Sequence, residues 1–301
     1  MSAVKEQQDT YLSAYSRLEK KFAEKDPAWL RSLRKAAILR FADLGFPTTR
    51  NEEWKYTNAA PIARTAFQLA RSDARLNPGV AEALQASPLA CIDCGKLVFV
   101  DGHYIPELST PGRLPAKVKA SNLSAALAQG SQSLPLLEAH LARYANYEDQ
   151  AFVALNTAFI QDGALIEIPK DQVLDQPIYV FYVSTGAAGN GAQVTVSHPR
   201  NLVVVGSNSQ VALVEGYLGL GARTYFTNAV TEVVAGEGAV VEYTKVQQES
   251  EPAYHVGTVQ FHLGRSSSVH ATTIAFGGLL AREDTGAALD GEGRECTLNG
   301  L

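Results

Sequence analysis

The chain has 301 residues, 46% of them hydrophobic and 19% charged, with 24 Gly, 13 Pro, 3 Cys and a formal net charge of −5. That composition describes a globular chain with ample core material and excludes disorder and collagen-like repeats. With 26 basic against 31 acidic residues there is no overall field for nucleic-acid phosphates, and no apolar run approaches the roughly 18 residues that span a bilayer.

Three cysteines cannot build a disulfide framework, and the polar start MSAVKEQQDT lacks the apolar core of a signal peptide, so the cytosol is the expected compartment. From Gln8 to Lys25 the residues Tyr11, Leu12, Tyr15, Leu18 and Phe22 recur with the period of an amphipathic helix. A second helix is predicted with Asp26 as N-cap and Pro27 in its first turn; Trp29, Leu30, Leu33, Ala37, Phe41 and Leu44 form its stripe, and Gly45 with Pro47 ends it. The two form an antiparallel hairpin, with Arg31, Arg34, Lys35 and Arg40 expected on a solvated face. Residues 45–64, GFPTTRNEEWKYTNAAPIAR, read as an ordered loop. Residues 65–95 carry few signals and are taken as connecting structure. KLVFVDGHY, 96–104, reads as a strand entering an Asp-Gly turn, and short capped helices are expected after Ser121 and Ser133. Leu136, Leu137, His140, Leu141 and Tyr144 share one helical face.

From about Ala164 the helical period gives way to short β-branched runs separated by Gly, Asn and Ser: ALIEIP, PIYVFYVS, NLVVVG, QVALVE, NAVTEVV, AVVEYTKV, GTVQFHL and SVHATTIAF. Three of them align as strand, corner, strand in VVVGSNSQVAL, EVVAGEGAVVE and FHLGRSSSVHA. Val205, Val234 and Leu263 stand before the corner at a spacing of 29, and Val211, Val240 and Val269 follow it at the same spacing. Leu289 with LDGEGREC begins a shorter copy. A fixed period means stacked coils whose inward side chains pile into ladders, so a parallel β-helix is predicted over an antiparallel sandwich. The expected organisation is a helical part at 1–58, a mixed connecting region at 59–160, and the β-helix at 161–301.

Chemistry-bearing residues are sparse. Cys91 and Cys94 in CIDCG have the spacing of a redox dithiol or half a metal site, yet Cys296 lies far along the chain and His103 cannot complete the set by itself, so no metal is expected there. His103, His140, His198, His255, His262 and His270 are scattered without an i, i+4 pair. The 29-residue register stacks His270 on Val241 and Ala212, and places His255 and His262 on opposite faces of one strand. Glu215 and Glu242 fall at different ladder positions, which argues against a glycosidase or lyase pair. GYLGLGAR and GAAGNGAQ are turns rather than phosphate loops, and neither GxxxxGK[ST] nor GxSxG is present.

FPTTRNEEWKYT, VALNTAF, DGALIEIPKD, QPIYVFYVS, HPRNLVVVG, VEGY, FTNAVTEV, VEYTKVQQES, YHVGT and LDGEGRECTLNGL, in that order, resemble the SufB/SufD family of iron–sulfur cluster assembly proteins. The RNEEWKYT loop after a helical start is the SufD-like feature. The resemblance implies a right-handed parallel β-helix with a helical N-terminal part, serving as a non-enzymatic scaffold in the SUF system. It implies a SufB-like paralogue and a SufC-like ATPase as partners, with a homodimer as another association. No cofactor is expected to stay on the chain, the cluster being the product of the complex, and no catalytic, cofactor or metal residue is carried over from the family. Family members continue past the equivalent of Leu301 into the part that docks the ATPase. The chain is therefore expected to be a fragment whose last coil pairs with another molecule. The alternative is a cytosolic β-helix enzyme acting on a carbohydrate or acyl substrate.

Overall fold

The computed structural model describes residues 3–70, 78–87, 89, 95–128, 131–186, 194–289 and 291–301. Helices α1 (Ala3–Lys25) and α2 (Ala28–Leu44) form the predicted antiparallel hairpin. Gln8 Nε2 donates to the Ala42 carbonyl at 2.6 Å, Tyr11 packs edge-on against Phe41, and Gly45 ends α2 at φ +64°. Asp26 is not the cap. Pro27 holds that position, and the Asp26 carboxylate turns inward to meet Arg34 Nε at 2.7 Å. Arg34 thereby leaves the expected solvated face: it is 2% exposed, its guanidinium lies 4.0 Å from the Phe22 ring centroid, and it donates to the Ala158 carbonyl. A buried cation is tolerable here because a carboxylate, a carbonyl and an aromatic face replace its water.

The 45–64 loop is ordered by a 3₁₀ turn at Glu52–Trp54 and closes with helix α3 (Ala60–Arg64). Strand β1 (Phe67–Leu69) and helix α4 (Pro78–Ala86) lie in the poorly signalled stretch that follows. Strands β2 (Lys96–Val100) and β3 (His103–Tyr104) form a hairpin about the predicted Asp-Gly turn, its Asp101 and Gly102 at φ +49° and +82° as a type I′ turn requires. Strand β4 (Lys119–Asn122) leads into helices α5 (Leu123–Ala126), α6 (Leu134–His140) and α7 (Ala151–Ala158). Asn122 and Ser133 stand at the N-caps of α5 and α6, but neither makes a side-chain capping bond. The Asn122 amide instead reaches Asp162.

The rest is a parallel β-solenoid. Strands β5 (Ala164–Ile168), β7 (Val194–Ser197), β8 (Arg200–Val205), β10 (Tyr225–Ala235), β12 (Tyr254–Leu263) and β14 (Leu280–Leu289) belong to one sheet, with β1 and β4. Strands β6 (Ile178–Ser184), β9 (Gln210–Gly219), β11 (Val240–Gln248), β13 (Ser268–Ala275) and β15 (Glu295–Gly300) form the other, with β2 and β3. The chain alternates between the sheets for four turns from β8 to β15, and every pairing among β5–β15 is parallel. This excludes the sandwich. The helices cover the outer face of the first sheet, where Phe41, Phe152 and Phe159 cluster with Val196, Phe226 and Val256. Strand β10 is therefore buried at all of its positions, whereas β11, in the part of the second sheet beyond the α4 contact with β2 and β6, shows in-out alternation along its first half.

The register corrects the predicted one. Ile168, Val205, Ala235, Leu263 and Leu289 stack on one another at spacings of 37, 30, 28 and 26 residues, not a constant 29. In the middle coil, Ala235 and Val241 take the ladder places assigned to Val234 and Val240. His270 accordingly faces Glu242, not Val241. What stays constant is the four-residue corner, Gly206–Ser209, Gly236–Ala239 and Gly264–Ser267. A Cβ on any of the three opening glycines would lie within 2.9 Å of the neighbouring coil's backbone, so only glycine lets the coils close up. The third corner residue is left-handed in each coil, at Asp171, Asn208, Gly238 and Ser266, and its N–H donates to the next coil at 2.8 to 3.1 Å.

Candidate functional site

Polar residues occupy inward positions of the solenoid on one side of its apolar ladders, and they connect across coils. Asn201 of β8 accepts from the Tyr182 hydroxyl and the Ala164 N–H, and its amide donates to Thr231 Oγ1 at 3.0 Å. Thr231 Oγ1 donates to Glu215 Oε2 at 2.9 Å, Tyr243 donates to the same oxygen at 2.8 Å, and Tyr217 donates to Oε1. Glu215 is 3% exposed, and its two oxygens accept from three hydroxyls. Burial first, and then the charge of Glu215, push the Tyr217 and Tyr243 phenols well up, which keeps them protonated as donors.

The column continues through Lys245 and His255. Lys245 Nζ lies 4.8 Å from the centroid of the Tyr217 ring and pairs with Glu283 Oε2 at 2.6 Å. The His255 ring stands edge-on to Tyr217, and its Nδ1 meets Glu249 Oε2 at 2.7 Å. Glu249 also accepts from Thr227 and Gln247. Burial alone would raise its carboxyl, but the adjacent imidazole and these hydrogen bonds together hold it below the ordinary carboxylate value. Gly257 of β12 makes the room: a Cβ there would overlap the Lys245 ammonium and the Glu283 carboxylate.

A second polar cluster ties the helices to the first sheet. Arg200 and Glu232, both fully buried, pair at 2.8 Å. Glu232 accepts from the N–H groups of Ala142, Tyr144 and Ala145. Arg200 donates to Asn156 and Thr157 of α7, and Asn156 donates to the Pro199 and Asn228 carbonyls. His198 accepts from Asn228 at Nδ1, while burial drives its imidazole down to about 3.

Of the residues singled out from the sequence, Cys91 and Cys94 lie outside the described residues. Cys296 sits on β15, half-buried against the solenoid core, and burial raises its thiol. His255 faces inward and His262 outward onto Tyr144, on opposite faces as predicted. Glu215 points into the solenoid and Glu242 is exposed on the opposite face, so the two do not converge. GYLGLGAR is only half a turn: Gly216 lies inside β9, where a Cβ would press on the Phe181 ring. Among the described residues no three His, Cys, Asp or Glu side chains are grouped to hold a metal ion, and no helix is long and apolar enough to cross a membrane.

The column was missed because its strands were read as strands but not which way their polar residues face. The available signal was parity. Glu215, Tyr217, Tyr243, Lys245 and His255 occupy every second place, in phase with inward Leu213, Val241 and Val259.

Comparison with known proteins gives the context. Residues 5–180 match the family described as SufBD protein N-terminal region. Residues 182–301 match the SUF system FeS cluster assembly, SufBD core domain. The iron–sulfur cluster assembly SufBD family protein slr0076 of Synechocystis sp. is 28% identical over 266 residues, covering 83% of this chain and 54% of that protein. The iron–sulfur cluster assembly protein SufD of Escherichia coli is 23% identical over 85% of this chain and 55% of its own length. SufD of Bacillus subtilis is 26% identical over 80% and 54%. The chain thus spans about half the length of these relatives. The fragments VALNTAF, HPRNLVVVG, VEGY, FTNAVTEV, VEYTKVQQES and YHVGT supply both buried polar clusters, and with family domains matched along nearly all of its length the chain belongs to the SufBD family of iron–sulfur cluster assembly proteins.

Proposed function

We propose that this chain is a scaffold subunit of the cytosolic SUF machinery, pairing with a SufB-like paralogue and acting with a SufC-like ATPase to support cluster assembly and iron acquisition. The observation that carries this reading is the match of both family regions, one after the other, along nearly the whole chain. In this reading the chain has no catalysis of its own, and the iron–sulfur cluster is the product of the complex rather than a cofactor resident on the chain. The solenoid suits such a role because stacked coils present long, rigid faces to a partner. One such face is the outer surface of the second sheet, where Glu242, Thr244, His270 and Thr272 remain partly or fully exposed.

Co-purification of this chain with tagged SufB-like and SufC-like proteins from the same source tests it. Retention of the SufB-like partner through a gel-filtration step is the expected result, with the ATPase recovered when all three are present. Retention of neither partner overturns the reading.

A further inference from the structure

A cavity of about 320 Å³ opens between the two layers, bounded by the end of α2, the 3₁₀ turn at Glu52–Trp54, the start of α7 and strands β12 and β14. Its size is at the small end of ligand sites, which run from about 300 to 1,000 Å³. Helix α7 begins at its wall, and the side chain at the N-cap, Gln150, makes no capping bond. The N–H groups of Ala151, Phe152 and Val153 bond to no described residue, although Phe152 and Val153 are 4% and 1% exposed. Buried backbone donors are seldom left open, and with the positive end of the helix dipole they call for an anionic acceptor. Thr258 of β12 supplies a second open group from the sheet side. It lines the cavity at 6% exposure, and its hydroxyl has no hydrogen-bonding partner among the described residues.

The acidic residues of the cavity do not fill that need. Asp149 turns to the Asn146 amide at 2.8 Å, and Asp284 is held by Arg282 Nε and Nη2 at 3.0 and 2.6 Å. Glu52 and Glu53 are exposed and pair with no cation among the described residues. Two demands therefore meet in one small space. A bare anion on α7 would be repelled by the carboxylates of Glu52, Glu53 and Asp149, and a bare cation would leave the α7 donors open. A molecule carrying both charges meets both. We infer that the cavity binds a basic α-amino acid of the lysine or arginine type, its carboxylate on the open N–H groups of α7 and the Thr258 hydroxyl. Its α-ammonium lies toward Asp149, and its cationic side chain toward Glu52 and Glu53. A basic side chain is selected because those three carboxylates have no paired cation, so the ligand must bring net positive charge. Its methylene stem has an apolar wall in Trp54 and Phe152, whose rings lie 5.2 Å apart. A helix start is a ready seat for the carboxylate. The site stands on these groups and does not depend on the assembly reading.

The test is calorimetric titration of the whole chain with free L-lysine and L-arginine, followed in parallel by the fluorescence of Trp54. One molecule per chain is expected for at least one of the two. Cadaverine and agmatine, which lack the carboxylate, and norleucine, which lacks the side-chain charge, should each bind at least tenfold more weakly. Glu52→Gln with Glu53→Gln should weaken the amino acid at least tenfold, and Thr258→Val several-fold. Ala151→Pro removes one α7 donor at the first helical position, where proline is accommodated, after a Gln150 that is already extended at φ −111° and ψ 105°. It should weaken the amino acid several-fold and leave the residual binding of the matching amine unchanged, a split that a folding defect could not produce. Failure of both amino acids to bind, an amine binding as tightly as its amino acid, or unchanged affinity in Ala151→Pro would each overturn the assignment.

Discussion

His198 shows how one buried side chain makes stability depend on acidity. The fold holds its imidazole near a pKa of about 3, against about 6.5 in an unfolded chain. Between those values the unfolded chain binds a proton that the folded chain refuses, so stability falls as the pH drops from about 6.5 towards 3, by at most about 1.4 kcal/mol per unit. Replacing His198 with Gln, which keeps an acceptor for the Asn228 amide, should flatten the decline. Urea midpoints at pH 7 and pH 5 measure it, and parallel declines in the two proteins would remove His198 as the cause. Glu249 also loses stabilisation in acid, but it is present in both proteins and cancels.

Among the elements, the corners carry the sharpest constraint. A Cβ at Gly236 would sit 2.8 Å from Ser207 N, whereas one at Gly112 would meet nothing within 4 Å. Gly236→Ala should therefore cost about 1–3 kcal/mol, while Gly112→Ala should stay within about 0.5 kcal/mol of zero; thermal melts of the two variants decide. The corners and most strands were legible in the sequence because glycine and alternation leave marks there. Other elements were hidden for physical reasons. Helix α7 is buried on nearly every side and so shows no stripe. Strand β14, LAREDTGAAL, carries four charged or hydroxyl residues in a row and looks like a loop, yet it pairs along its whole length with β12. Asp26 and Arg34 matched cap and surface patterns but were drawn into a buried ion pair by the packing of the layer. The site was the least legible part, because its polar residues acquire meaning only once neighbouring coils bring them together.

For the molecule as a whole, Glu232 couples two bodies that could otherwise melt separately. Its carboxylate binds Arg200 of the solenoid and the backbone of residues 142–145 in the helical layer. Both tryptophans, Trp29 and Trp54, lie in that layer, so their fluorescence reports the helices, while the sheet signal in circular dichroism reports the solenoid. The two transitions should coincide in the native chain. Glu232→Ala leaves Arg200 buried without its partner, at a cost of about 3–5 kcal/mol, and should make the fluorescence transition occur first. An unchanged single transition would show that apolar packing, with the Asn156 and Arg200 hydrogen bonds, joins the layers without Glu232.

The narrowing coils carry a lesson for comparing relatives of this chain. Their lengths differ by even and odd amounts from any mean period, and a phase error of one residue exchanges inside for outside along a whole strand. An alignment built on average repeat length would set Val234 where Ala235 belongs and Val240 where Val241 belongs, which carries the outward Glu242 into the lumen in place of Tyr243. From β8 to β13 the glycine that opens each corner, Gly206, Gly236 and Gly264, is the proper origin of counting. Measured from it, equivalent side chains in successive coils stay equivalent, however many residues the opposite connection gains or loses.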